Sequence, residues 1–248
     1  MRNVMSWLLL TLAAIAPRAF ADDELLVSAA ASLSAAFKEI GAAFAAANPG
    51  VTVSFNFAAS GALLQQIEKG APVDVFAAAD QETMDLARQR KLIVDGSRRD
   101  FTTNRLVLVV PAAAEPGVRA LADLAKPEVK RIAIGNPALV PVGRYARDAL
   151  GAERIKALKP RFVYGESVRQ VLQYASRGEV DAAFVYASDA AGAAGKVRVV
   201  AEVPTPQPIA YPVAVVSASG RLAAAQRFID FLLRPEARAV LKRHHFGA

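Results

Sequence analysis

The sequence contains no cysteine, which excludes disulfides, thiolate metal sites and thiol nucleophiles and suits an oxidising compartment. Histidine is nearly as scarce. His244 and His245 stand side by side near the C-terminus, where two solvated neighbours are a poor start for a catalytic base or a metal pair. Long apolar runs are missing as well, since the run from Trp7 to Ile15 is nine residues and a membrane-spanning helix needs ~20. The sequence lacks G-x-S-x-G, H-E-x-x-H, G-x-G-x-x-G and a full P-loop. Gly192 to Lys196 comes nearest to the last, but Val197 follows the lysine and Ala190 stands where the first glycine belongs. These absences argue against an enzyme.

Charge gives little direction to a partner. The formal net charge is +7, and Arg2 and Arg18 fall in the first two dozen residues. The remaining basic residues are scattered, with short clusters at Arg98-Arg99 and Lys242-Arg243 and no interleaved aromatics. A nucleic-acid surface is therefore not expected. A solvated basic surface with a general attraction for anions is.

At the N-terminus, Arg2 precedes the apolar run, and Ala19-Phe20-Ala21 precedes the acidic Asp22-Asp23. That is the pattern of a cleavable secretory leader over residues 1–21, which predicts export. Beyond it, β-type runs alternate with amphipathic stretches. Leu25 to Ala29 reads as a strand, Leu33 to Ala47 as a helix ended by Asn48-Pro49-Gly50, Val51 to Phe57 as a strand, Ala62 to Lys69 as a helix, and Val73 to Ala77 as a strand. Helix Gln81 to Arg90 and strand Leu106 to Val110 follow.

The pattern restarts after Pro111, with helices at Val118 to Leu124, Arg144 to Leu150 and Val168 to Ser176 and strands at Ile132 to Gly135, Arg161 to Tyr164 and Ala182 to Tyr186. A Pro-rich stretch, Val203 to Pro212, leads to strand Val213 to Val216 and two helices split at Arg234-Pro235. The repeated alternation predicts α/β architecture in two lobes, each a mostly parallel sheet flanked by helices. Lobe 1 is expected over 22–106 plus 210–248 and lobe 2 over 107–209, joined by two hinge strands near Leu106 to Pro111 and Tyr211 to Val216.

Two lobes leave a cleft, and open α/β sheets bind ligands at the carboxyl ends of strands, where helix N-termini present free N–H groups. Five residues stand at such places. Ser32 follows the first strand and Ser60 the second. Val142 opens a helix after Gly135, where the first four N–H groups have no partner inside the helix. Ser167 to Gln170 has capping-box spacing and exposes the turn beginning at Val168, and Tyr186 ends a strand. Singly, such serines are ordinary N-caps and such a tyrosine an ordinary core ring. Together they are five uncharged donors at strand ends and helix starts facing one cleft.

The segments VSAAASLSAAFKEI, FAASGALLQQIEKGAPVDVFAAAD, NPALVPVGRYARDAL, GESVRQVL, AFVYASDA and YPVAVV occur in order, and with them the chain resembles the periplasmic molybdate-binding proteins of ABC importers. The resemblance covers nearly all of the chain after the leader. It implies a periplasmic monomer that binds molybdate or tungstate, delivers it to a membrane permease, and carries no cofactor. It also implies that the oxyanion is held by the hydroxyls and main-chain N–H groups of Ser32 and Ser60, the main-chain N–H groups of Val142 and Val168, and the hydroxyl of Tyr186, with no cation ligands. The departures are Val142, where the family often has alanine, and Ala59 and Gly61, which replace hydroxyl residues of some members.

A dianion taken from water needs its lost hydration replaced by hydrogen bonds, each strengthened by the ligand's charge. Helix N-termini supply both donors and a favourable dipole end, so no Arg or Lys is required. A site made only of donors also rejects a ligand that keeps a proton, such as hydrogen phosphate, because that proton finds no acceptor. Sulfate is fully deprotonated too, and sulfate or thiosulfate is the rival ligand on the same fold. Ferric iron is disfavoured by the absence of an adjacent tyrosine pair and of carboxylate clusters. A transcription-regulator effector domain is disfavoured by the leader and the missing DNA-binding helices.

Overall fold

The computed structural model describes residues 23–114 and 117–247; the leader expected over residues 1–21 lies outside them. Ten strands form two five-stranded sheets. In lobe 1 these are β1 (Asp23–Ala30), β2 (Val51–Ala58), β3 (Val75–Ala77), β4 (Arg99–Asn104) and β10 (Ile209–Val215), in the order β2-β1-β3-β10-β4. In lobe 2 they are β5 (Leu106–Pro111), β6 (Ile132–Gly135), β7 (Phe162–Gly165), β8 (Ala182–Tyr186) and β9 (Val197–Val203), in the order β7-β6-β8-β5-β9.

The two orders are the same pattern. In each sheet a first strand pairs in parallel with its two neighbours, and one reversed strand, β10 or β5, pairs antiparallel on both sides. The sheets are therefore mixed, with a single strand opposing the rest. In lobe 1 that strand is the chain returning; in lobe 2 it is the chain arriving.

The crossings between sheets fall just before the strands that the sequence suggests as hinges. Arg105 alone separates β4 from β5, and residues 204–208 separate β9 from β10. Pro204, Pro206 and Pro208 lie in the second crossing and cannot donate to a ladder, which ends both sheets there. Pro212 does enter β10, but at a register shift between Tyr211 and Pro212, where a missing N–H is tolerated.

Lobe 1 carries helices α1 (Ser34–Ala47), α2 (Ser60–Glu68), α3 (Gln81–Gln89), α7 (Leu222–Leu232) and α8 (Pro235–Arg243). Lobe 2 carries α4 (Pro141–Leu158), α5 (Val168–Ser176) and α6 (Ala187–Gly192). Leu25, Val27 and Ala29 of β1 are fully buried on one face of its sheet. Against them pack Phe37 and Phe44 of α1, which meet Phe228 of α7 at ring distances of 6.1 and 5.2 Å. The other face is closed by Leu63, Leu64, Ile67, Phe76 and Met84. Among the described residues no helix is long and apolar enough to cross a membrane.

Three expectations change. The helix expected over Val118 to Leu124 is a short 3-10 turn at Leu121–Ala125, bounded by the extended Ala120 before it and by Lys126, which Pro127 keeps out of helical conformation. The helix expected over Arg144 to Leu150 begins earlier, at Pro141, and runs to Leu158 across a break at Gly151 (φ +73°). Strands β4 and β9 and the short α6 have no counterpart in the sequence reading.

Candidate functional site

All five residues singled out in the sequence line one small cavity between the lobes, together with Ala30, Ala31, Ala58, Ala59, Ala79, Val140 and Pro141. The cavity measures about 10 Å³, the room of about one water. No charged side chain lines it.

Each wall is a strand end running into a helix start. Ser32 lies in the 3-10 turn Ala31–Leu33 that joins β1 to α1, and Ser60 is the first residue of α2. Neither serine caps its helix: the N-cap positions are Ala30 and Ala59, and neither helix start has a side-chain cap. Their hydroxyls are held by other partners. Ser60 Oγ accepts the N–H of Ala79 at 3.0 Å, which leaves its own proton to point into the cavity.

Ser32 Oγ lies 3.1 Å from Tyr211 Oη. Asn104 Oδ1 accepts the N–H of Arg105, which fixes its amide so that Nδ2 donates to Tyr211 Oη at 3.3 Å and to Ser188 Oγ at 2.8 Å. The Ser32 and Tyr211 hydroxyls hydrogen-bond to each other, with either able to donate. Burial pushes the Tyr211 phenol well above its usual range, so it stays protonated.

Lobe 2 supplies peptide groups. Val142 is the second residue of α4, behind Pro141 at the first position, where a missing N–H costs nothing. The helix start is pressed against the end of β6 by two glycines: a Cβ on Gly143 would lie 1.9 Å from Gly135 O, so only glycine brings Val142 this close to the strand end. Val168 is the first residue of α5, capped by Ser167 Oγ accepting the Gln170 N–H at 3.3 Å. Gln170 Oε1 returns a bond to Glu166 N–H at 2.7 Å rather than to Ser167, a capping box displaced by one residue.

Tyr186 ends β8 and precedes α6. Its side chain is 1% exposed, and its hydroxyl has no hydrogen-bond partner among the described residues. Burial raises its pKa well above the usual phenol range, so the group is a permanent donor. Three residues on, Asp189 is half-buried, and its Oδ2, shielded from solvent, also has no partner among the described residues. Burial lifts its carboxyl to about 7, against the pull of Arg169 and of the Tyr186 N–H. Buried polar atoms without partners are rare in folded proteins, and one of these two faces the cavity.

The sequence reading missed three features around the site. Tyr211 and Asn104 stand behind Ser32, and no local pattern marks them because their partners are 179 and 84 residues away. Gly61 is not an additional ligand group, since its N–H donates across the cleft to Leu139 O at 3.0 Å. A Cβ there would sit 2.7 Å from that oxygen, so the glycine sets how closely the lobes meet. The third is Arg144, buried between the lobes.

The model of the family "Bacterial extracellular solute-binding protein" matches residues 25–247. The molybdate-binding protein of Escherichia coli is 37% identical over 243 residues, covering 94% of this chain and 93% of that protein. Among solved structures, the substrate-binding domain of a putative molybdenum ABC transporter from Clostridium difficile is 36% identical with a TM-score of 0.68, covering 90% of this chain and 98% of that one. The sulfate-binding protein of Mycobacterium tuberculosis aligns with a TM-score of 0.77 at 20% identity, covering 90% and 86%. That last likeness is one of fold alone.

Proposed function

The chain belongs to the bacterial extracellular solute-binding proteins, and from that premise we propose that it captures molybdate between its lobes and delivers it to the membrane permease of an ABC importer. Tungstate, of the same shape and charge, is bound by the same groups. The protein acts after export to the periplasm, as a monomer, without a cofactor and without transforming its ligand. Its contacts are the hydroxyls of Ser32, Ser60 and Tyr186 and the main-chain N–H groups of Ser32, Ser60, Val142 and Val168.

The observation that carries this reading is the cavity itself, where five positions converge without one charged side chain and a fully buried phenol points a proton at no protein acceptor. Such a wall solvates an anion with no proton of its own and gives nothing to a cation or to an anion that must donate. Sulfate satisfies the same charge criterion, so the separation from molybdate rests on size and on how far the lobes close.

Calorimetric titration with molybdate, tungstate and sulfate at two chloride concentrations tests this. Molybdate and tungstate should bind with much higher affinity than sulfate, and added salt should weaken binding only slightly, because no exposed cation holds the ligand. Tighter binding of sulfate would transfer the assignment to sulfate. A steep salt dependence would mean that a basic residue outside the cavity holds the anion.

A further inference from the structure

Arg144 is the one cation among the described residues whose ion pair is buried on both sides. Its side chain is 7% exposed and that of its partner, Asp80, 5%, whereas every other ion pair found there has at least one exposed partner. The pair joins the lobes: Arg144 lies on α4 in lobe 2, and Asp80 is the N-cap of α3 in lobe 1.

All three nitrogens of the guanidinium are engaged. Nε donates to Asp80 Oδ2 at 2.8 Å, Nη2 lies 2.6 Å from the same oxygen and donates to Thr83 Oγ1 at 2.7 Å, and Nη1 donates to Pro137 O at 3.0 Å. The other carboxylate oxygen of Asp80 accepts the Thr83 N–H.

We propose that this ion pair is the latch of the closed state, and that Arg144 is a positioning residue that holds the Val142 N–H against the bound oxyanion. The latch rests on the reading of the cleft as an oxyanion site. Arg144 stands two residues after Val142 on the same first turn of α4, so tying its guanidinium to α3 ties that helix start to lobe 1. When the lobes part, both charges return to water. When they close, each needs the other, because an unpaired charge buried there is far more costly than the pair. Removing one partner therefore penalises closure and leaves the separated lobes intact, and its effect belongs in the rate of ligand escape.

The planar fork matters as much as the charge. A lysine ammonium is a point charge on a flexible stem and does not reproduce three directed bonds to Asp80, Thr83 and Pro137.

The test uses the mature wild type and Arg144→Met, Arg144→Lys, Asp80→Asn and the Asp80→Asn/Arg144→Met double variant. Molybdate, tungstate and sulfate serve as probes in stopped-flow tyrosine fluorescence, and melting of the ligand-free proteins is measured in parallel. Arg144→Met should release the bound anion roughly 30-fold faster or more, with association and ligand-free melting changed little. Arg144→Lys should recover only part of the loss, and the double variant should lose less than the two single changes together, since it leaves no orphan charge.

Dissociation of Arg144→Met at the wild-type rate would overturn the latch. So would a fall in ligand-free melting that matches the loss of affinity, which would make the pair a structural contact. If wild type binds sulfate and not molybdate, the molybdate reading fails and the latch is judged on sulfate. If it binds none of the three, both fail.

Discussion

The two lobes share a strand order but furnish the cleft by different means. Lobe 1 offers serine hydroxyls that the fold has already oriented, Ser60 by the Ala79 N–H and Ser32 by the chain from Asn104 through Tyr211. Lobe 2 offers peptide N–H groups at the starts of α4 and α5, and one phenol that nothing in the protein engages. Both buried unpartnered atoms among the described residues, Tyr186 Oη and Asp189 Oδ2, lie at the junction of β8 and α6 in lobe 2. Lobe 1 is thus a half-site whose hydroxyl oxygens are already held by protein partners before a ligand arrives. Lobe 2 carries the desolvation cost that a ligand relieves, so mutations in the two halves should differ in kind.

The largest effect is expected in lobe 1, at Ser60. Ser60→Ala removes a hydrogen bond to a charged ligand, about 1.5–3 kcal/mol, or roughly ten- to a hundredfold in affinity. It also strips the buried Ala79 N–H of its acceptor, which should lower the stability of the ligand-free protein by about 1–3 kcal/mol. Ser32 is only half-buried, so Ser32→Ala should match the loss of affinity with a smaller loss of stability. Calorimetry paired with denaturant unfolding separates the two quantities. A Ser60→Ala protein of wild-type stability would show that lobe 1 is not pre-wired in this way.

The peptide donors of lobe 2 escape ordinary substitution, but Val168 is an exception. It is the first residue of α5, and Ser167 before it is extended at φ −156° and ψ 161°. Proline is well tolerated at a first helical position, and an extended residue before it suits the ring. Val168→Pro therefore deletes one N–H and leaves the helix standing. Affinity should fall by about 1.5–3 kcal/mol, with ligand-free stability nearly unchanged. The same substitution at Val142 would be uninformative, because Pro141 before it is already helical. A Val168→Pro protein that binds like wild type would remove this N–H from the site.

What the sequence revealed divides along a physical line. Strands β1, β6 and β8 are rich in apolar residues, and helix starts carry local signals, so the two-lobe α/β architecture and the five positions that line one cavity are readable from residues close together in the chain. Strands β4 (RDFTTN) and β9 (VRVVAEV) are outer strands of their sheets. Both carry charged residues, as edge strands do to blunt further pairing, whereas the outer strands β2 and β7 keep aromatic and β-branched residues that mark them as strands. The supporting groups were hidden for another reason. Ala79 behind Ser60, Tyr211 behind Ser32 and Asp80 against Arg144 are brought together only by the completed fold, and Arg144 within VPVGRYA reads as one more surface charge until α3 is seen above it.

The smallest effect, and the one that most sharpens the contrast between the lobes, is expected at Tyr186. Tyr186→Phe keeps the ring, which packs edge-on against Tyr145 and Tyr211 at 6.4 and 5.8 Å, and removes only the hydroxyl. Unlike Ser60→Ala it orphans no other protein group, and unlike Val168→Pro it brings no new atoms against the ligand. Closing the wild-type cleft strips that hydroxyl of water, a cost the phenylalanine protein does not bear, so part of the lost hydrogen bond is offset. The affinity loss should lie near the low end of the range for a bond to a charged group, about 1.5 kcal/mol. Stability of the ligand-free protein should move the other way, unchanged or raised by a few tenths up to about 1 kcal/mol, because a buried donor without a partner is gone. Opposite signs for binding and stability are the signature of a group maintained for its ligand. The check is unfolding of both proteins with and without molybdate: a variant destabilised in the absence of ligand would mean that Tyr186 belongs to the fold of lobe 2, and that the two halves of the cleft are built alike after all.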